Sequence, residues 1–219
     1  MPHGNNIYRV LLDGDWKLTD LYTFPHAFSQ VYAFIYCFDS ELDPIDRKRI
    51  KMRLEEYPWN GGYSVVNIYK VLQNQVPAPD RPKIYSIQKS SPGWLDLVLN
   101  PDVAIQVAKS ISVLLGTASL AVKTYSLIQK TLSDLDTHRQ KNNLQNTKHT
   151  KANSEAMMGL FDNLAKNLGF HNLADLHNQT GNPEVSLKLL VAHYRRVLIM
   201  LDFVKLGKVN LPEEARRND

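Results

Sequence analysis

Cysteine is almost missing: Cys37 stands alone among 219 residues. No disulfide can form within the chain, and a zinc site built on several thiolates is excluded. Cys37 lies in the apolar run Phe34-Ile-Tyr-Cys-Phe38 and is read as a small buried hydrophobe rather than a nucleophile. Phosphate-cradling glycine loops are missing too. There is no G-x-G-x-x-G, and Gly207-Lys208 has no upstream glycine at P-loop spacing. Gly62-Tyr-Ser64 lacks the closing glycine of a nucleophile elbow. The opening Met1-Pro-His-Gly-Asn-Asn is polar and carries no leader signal, so a cytoplasmic location is expected.

Acid is missing from one long stretch. No Asp or Glu occurs between Val103 and Ser133. The chain has 26 Lys plus Arg and 22 Asp plus Glu, a net charge of +4. Residues Val103 to Ser154 carry +5 of it, and the remainder carries −1. The basic excess is therefore local, which points to a functional segment more than the overall balance does. The longest uncharged run in this stretch, Ser110 to Val122, has 13 residues. A membrane span needs about 20.

What is present is ordinary in bulk. Hydrophobic residues make 43% and charged residues 22%, which excludes wholesale disorder. Patterning predicts an α+β, mainly helical fold with a small antiparallel sheet and flanking helices. Strands are expected at Ile7–Leu12, Lys83–Gln88 and Trp94–Leu99, with a short partner strand at Trp16–Leu18. Thr19 is expected to cap a first helix to Phe38, which carries no Asp, Glu, Lys or Arg from Leu21 to Cys37. Asp43-Pro44, Ser64, Asn100-Pro101 and Asn182-Pro183 are expected to open further helices. The organisation reads as an α+β part (1–100), a long helix (101–137), a polar linker (138–153), a C-terminal helical region (154–211) and a frayed tail (212–219).

The strongest pattern is a heptad in the long helix. Ala104, Val107, Ile111, Leu114, Ala118, Ala121, Tyr125, Ile128, Leu132 and Leu135 follow alternating steps of three and four, and all are apolar. Lys109, Gly116, Lys123 and Lys130 fall on the opposite side. Three arrangements satisfy this pattern. The seam packs inside the chain's own bundle, or it joins copies into a homo-oligomer, or the acid-free helix lies at a membrane interface.

Chemistry is sparse. His171, Asp175 and His177 make the best metal-ligand set, but His177 falls off the shared face and no glutamate sits at general-base spacing. Asp39, Glu41, Asp43 and Asp46 cluster, yet Asp43 and Asp46 suit a helix start. No catalytic residue, metal or cofactor is assigned. Two basic groups could follow phosphates: Arg47, Arg49 and Lys51 on one helix, and Arg139, Lys141, Lys148 and Lys151 on the polar stretch. Trp59 and Trp94 sit beside turns, where an indole can anchor a partner.

Arg81-Pro-Lys-Ile-Tyr-Ser-Ile-Gln-Lys-Ser-Ser-Pro-Gly-Trp-Leu95, with the long helix after it, resembles a bacterial family sharing this SIQ…SPGW-type hairpin. Trp16-Lys-Leu-Thr-Asp-Leu-Tyr and Gly62-Tyr-Ser-Val-Val-Asn fit the same resemblance. It implies a bacterial, cytosolic protein and no particular activity. The expected function is a non-enzymatic adaptor or regulator that self-associates through the long helix, with a protein partner as a further expectation. Nucleic-acid association and membrane action are the alternatives.

Overall fold

The computed structural model of the chain describes residues 7–39, 42–57, 61–90, 92–141, 151–170 and 174–214. The elements in order are β1 (Ile7–Leu12), α1 (Leu18–Cys37), α2 (Pro44–Glu56), α3 (Gly61–Gln75), β2 (Lys83–Gln88), β3 (Gly93–Val98), α4 (Pro101–Lys141), α5 (Lys151–Asn167), α6 (Ala174–Thr180), α7 (Pro183–Lys205) and β4 (Val209–Asn210). The fold is α+β and mainly helical. The four strands are antiparallel, in the order β2-β3-β1-β4.

Helix α1 is the centre of the molecule. Every residue from Gln30 to Phe38 is buried. A helix without charge on any side has no face to give to water, so it must be enclosed all round. Helices α3, α4 and α7 pack against it. Phe24, Phe28, Tyr32, Phe34, Tyr36 and Phe38 are all buried, while Tyr22, before the enclosed part, is exposed. Cys37 is free and buried, its Sγ 3.6 Å from the Leu72 carbonyl, and burial pushes its thiol pKa far up. One continuous hydrophobic core joins β1, β3, α1, α3, α4, α5 and α7.

Local signals explain most helix starts. The Asp43 carboxylate accepts from the Ile45 N–H at 2.8 Å, and Pro44 occupies the first helical position. The Asn182 side chain accepts from Glu184 and Val185 at the start of α7. Helix α1 differs from expectation. It starts at Leu18 and is capped by Lys17, so Thr19 lies inside it. Asp20 supplies the capping contact instead: its Oδ2 accepts the Lys17 N–H at 2.9 Å and the Lys208 ammonium at 2.7 Å. Helix α3 begins at Gly61, so Ser64 is also internal.

Trp16–Leu18 is not a strand. Both edges of β1 are already taken, by β3 and by β4. The Trp16 indole instead stacks on Phe203 (5.6 Å) and meets Phe24 edge-on (6.0 Å). Strand β4 was not expected from the sequence. It brings the C-terminal region back to the first strand, pairing Leu12 with Val209 and Leu11 with Asn210.

The β2–β3 hairpin depends on Gly93. A Cβ there would stand 2.7 Å from the carbonyl oxygens of Gln88 and Ser90 and 3.3 Å from that of Leu12. Backbone packs too closely on both sides for any side chain.

Helix α4 runs 41 residues, and α1, α5 and α7 pack along it. Thr117 Oγ1 donates to the Asn167 carbonyl at 3.0 Å, and Arg195 Nε donates to the Tyr125 hydroxyl at 2.9 Å. Leu114 is fully buried within this packing. Leu114→Ala is expected to cost about 2–5 kcal/mol through lost burial and a residual cavity. Thermal denaturation should then show a midpoint lowered by several degrees with the helical circular dichroism of the native state retained at low temperature.

Candidate interaction surface

The seam of α4 faces inward. Ala104, Val107, Ile111, Leu114, Ala121 and Ile128 are buried, and Ala118, Tyr125, Leu132 and Leu135 are half-buried. Helices α1, α5 and α7 of the same chain pack along α4 and cover the buried part of this side. The heptad pattern marks an apolar face correctly but carries no information about whose helix covers it.

Four apolar residues of α4 remain outside: Leu115, Leu120, Val122 and Leu127 are each about half exposed. Leu115 and Val122 lie seven apart on one flank, and Leu120 and Leu127 lie seven apart on the other. Lys123 and Lys130 run between the two pairs, with Lys109 a few turns earlier, and all three are exposed. None of these lysines pairs with an acid among the described residues. By length and composition α4 is also the one described helix apolar enough to cross a membrane, and 39% of that window is buried inside the chain.

A second apolar surface lies at the sheet edge. Strand β2 is outermost, and no strand lies beyond it among the described residues. Ile84 is 59% exposed, Tyr85 63% and Ile87 52%. Ile84 pairs with Leu97 and Ile87 with Leu95, so both isoleucines sit on the core side of the sheet. The pairing skips Tyr85, because a register shift separates Ile84 from Ser86. That bulge explains how two same-face residues come to be three apart rather than two. This surface was missed in the sequence. Its signal was there as the Ile-x-x-Ile spacing inside a strand, which regular alternation cannot place on one face.

The outer face of the sheet carries a polar network. Arg9 donates to Asp96 through Nε (2.6 Å) and Nη2 (2.7 Å), and Ser86 Oγ donates to Asp96 Oδ2 at 2.9 Å. The Arg9 guanidinium lies 4.6 Å from the centre of the Trp94 ring. Trp94 is thus half-buried and already capped by a side chain of its own sheet. Trp59 lies outside the described residues.

Arg47, Arg49 and Lys51 of α2 are engaged within the chain. Arg49 donates to the Gln75 carbonyl (2.8 Å) and pairs with Asp46 (2.9 Å). Lys51 pairs with Glu55 (3.9 Å), and Arg47 reaches the Leu42 carbonyl (3.4 Å). The side chains of Arg139, Lys141 and Lys151, and the whole of Lys148, lie outside the described residues. So do His171, Glu41 and the Asp175 side chain. His177 Nδ1 faces Ser186 Oγ at 3.3 Å. No group of three metal-ligating residues forms among the described residues.

No family model, curated protein or solved structure matches this chain. Its own geometry carries the functional argument.

One buried group stands out electrostatically. His193 on α7 is fully buried and stacks on Phe34 at 3.9 Å, with Phe170 at 5.6 Å. Neither ring nitrogen has a hydrogen-bond partner among the described residues. Burial pushes its pKa down to about 3, so the imidazole is neutral. An unfolded histidine takes up a proton near pH 6.5. Below that pH the unfolded chain binds a proton that the folded chain refuses, so folding loses about 1.4 kcal/mol per pH unit from this group. Chemical denaturation at stepped pH should show wild-type stability falling between pH 6.5 and about 3, with nothing lost above that window through this residue. His193→Phe keeps the stacking shape and should flatten that part of the profile. An equal slope in the variant would remove His193 as the cause.

Proposed function

We propose that this chain is a non-enzymatic interaction module that self-associates, an adaptor or regulator rather than a catalyst. The observation that carries the reading is the exposed apolar edge of the sheet at Ile84, Tyr85 and Ile87. An uncovered, apolar edge strand holds unpaired backbone donors and acceptors and is a template for another chain. The α4 seam, expected at first to be the contact, is occupied by the chain's own helices, so the contact is assigned to other surfaces.

The test is the mass of the full chain in solution. Light scattering at micromolar concentration should give a multiple of 25.0 kDa, most simply twice that value. A single species at 25.0 kDa across the concentration range would overturn the reading.

A second reading rests on the exposed face of α4. Three lysines without acid partners and four exposed aliphatic side chains favour contact with an anionic lipid surface. Co-sedimentation with phosphatidylglycerol vesicles should exceed that with phosphatidylcholine vesicles and should drop when Lys123 and Lys130 are changed to Glu. Equal recovery with both lipids would sink this reading.

A further inference from the structure

We infer that α7 carries a binding site for a dianionic phosphoryl group, clamped by Arg195 and Arg196 beside the Tyr69 hydroxyl. The site is separate from the sheet edge and from the solvent side of α4.

The inference starts from charge that nothing in the chain balances. Arg196 is half-buried where α7 meets α1 and α3. Its Nε donates to the Gln30 side-chain carbonyl, and its guanidinium lies 5.1 Å from the centre of the Tyr69 ring. Gln30 is held in turn by His26, with 2.9 Å between their side-chain nitrogens. Arg195 is exposed, and its Nε donates to the Tyr125 hydroxyl at 2.9 Å. Gln30, Tyr69 and Tyr125 are neutral partners. Each guanidinium is tied through Nε alone, and the terminal Nη groups have no hydrogen-bond partner among the described residues. The surrounding sequence supplies no counter-charge. No Asp or Glu occurs in Leu21–Cys37 of α1, Gly61–Gln75 of α3, Val103–Ser133 of α4 or Val185–Leu201 of α7. A cation held partly away from water without a counter-charge is costly, and a bound anion offsets that cost.

Tyr69 supplies the second observation. It is buried, and its hydroxyl has no hydrogen-bond partner among the described residues. Burial pushes its pKa up, against the opposing pull of Arg196 and then Arg195. The hydroxyl therefore keeps its proton, and both guanidiniums stand near enough to act on it. It is a donor that lacks an acceptor, and arginine has no lone pair to offer one. An acceptor that satisfies the hydroxyl satisfies the two guanidinium ends as well. Arg196 is the group that stands over the Tyr69 ring, and only its Nε is tied, so its free end can turn to let an oxygen reach the hydroxyl.

The donors select the class of anion. Two guanidinium ends and one hydroxyl suit at least three acceptor oxygens and a charge near −2. A carboxylate has two oxygens and a single charge. A phosphoryl group has three terminal oxygens and carries about −1.5 to −2 at neutral pH. The guanidinium fork also matches paired phosphate oxygens.

Titration calorimetry on the full chain tests the site, with inorganic phosphate and with glycerol phosphate at neutral pH and fixed ionic strength. Saturable binding of at least one of them, at one site per chain, is expected. The tighter of the two shows whether the group is taken free or as a small ester. Acetate at the same ionic strength should bind at least about tenfold more weakly. Arg195→Gln and Arg196→Gln should each weaken phosphate about tenfold or more, the loss of one charged hydrogen bond. Arg195 is exposed, so its variant keeps the fold even where Arg196→Gln does not. Tyr69→Phe separates binding from packing. Without phosphate it should melt no lower than wild type, because it removes an unpartnered hydroxyl, and phosphate should raise its Tm less than it raises that of wild type. No saturable binding of either probe, or binding that Arg195→Gln and Tyr69→Phe leave unchanged, overturns the site. Acetate binding as tightly as phosphate overturns the phosphoryl assignment. A Tyr69→Phe chain that melts well below wild type removes Tyr69 from the site.

Discussion

The constraint on which the rest of the fold depends is that α1 carries no Asp, Glu, Lys or Arg from Leu21 to Cys37. Such a helix cannot lie on a surface with one side wet. It requires cover from several directions, and α3, α4 and α7 provide it. A polar atom taken inside with it is costly unless it finds a partner there. The Tyr32 hydroxyl does so twice, donating to the Asp80 carbonyl at 2.8 Å and accepting from the Asn100 N–H at 3.0 Å. One buried oxygen thereby ties the proline-rich connector before β2 to the start of α4. The Tyr36 hydroxyl adds a contact to the Asp80 carboxylate at 3.1 Å. The position of the long helix is thus set from the centre outward.

This explains what became of the heptad. Covering α1 and closing the bundle with α5 and α7 requires an apolar face along α4, and the ten-residue seam is that face. The period was legible because side-chain burial on a helix repeats every three and four residues whatever lies opposite. The partner was not legible, because the same period serves a bundle and an oligomer. The helix starts at Pro44 and Pro183 were legible for a local reason: a capping side chain and a proline act within one turn. The start of α1 was not, since its capping contact comes from Asp20 at the third helical position, and Lys208, 188 residues away in sequence, holds that same carboxylate. Strand β4 and the placement of Trp16 are tertiary in the same sense. Two residues of strand have no pattern of their own, and the indole is positioned by Phe203 from the far end of the chain.

The interaction surface shows the converse. The fold covers the core side of β1 and β3 with helices but does not extend that cover to β2. Ile84 and Ile87 continue the rows of Leu97 and Leu95 past the last helix, so the sheet is wider than the layer that protects it. A bulge at a sheet edge ordinarily discourages pairing by adding twist and breaking alternation. Here it leaves two exposed isoleucines on one face, opposite Leu97 and Leu95 of the regular strand β3.

Charge separates the two exposed surfaces. Facing two copies of the α4 outer side would oppose Lys123 and Lys130 of one chain to the same residues of the other in nearly any arrangement, with no acid between Val103 and Ser133 to offset them. Like charges directly opposed are unfavourable, and shedding their hydration adds to the cost. The β2 edge carries no such conflict, because its central four residues are uncharged. The proposed self-association is therefore opposed by charge on the α4 face and not at the sheet edge, and the cationic helix face suits a partner of opposite charge. The two surfaces belong to different layers of the fold, one at the edge strand and one on the solvent side of α4, so use of one does not in itself require release of the other.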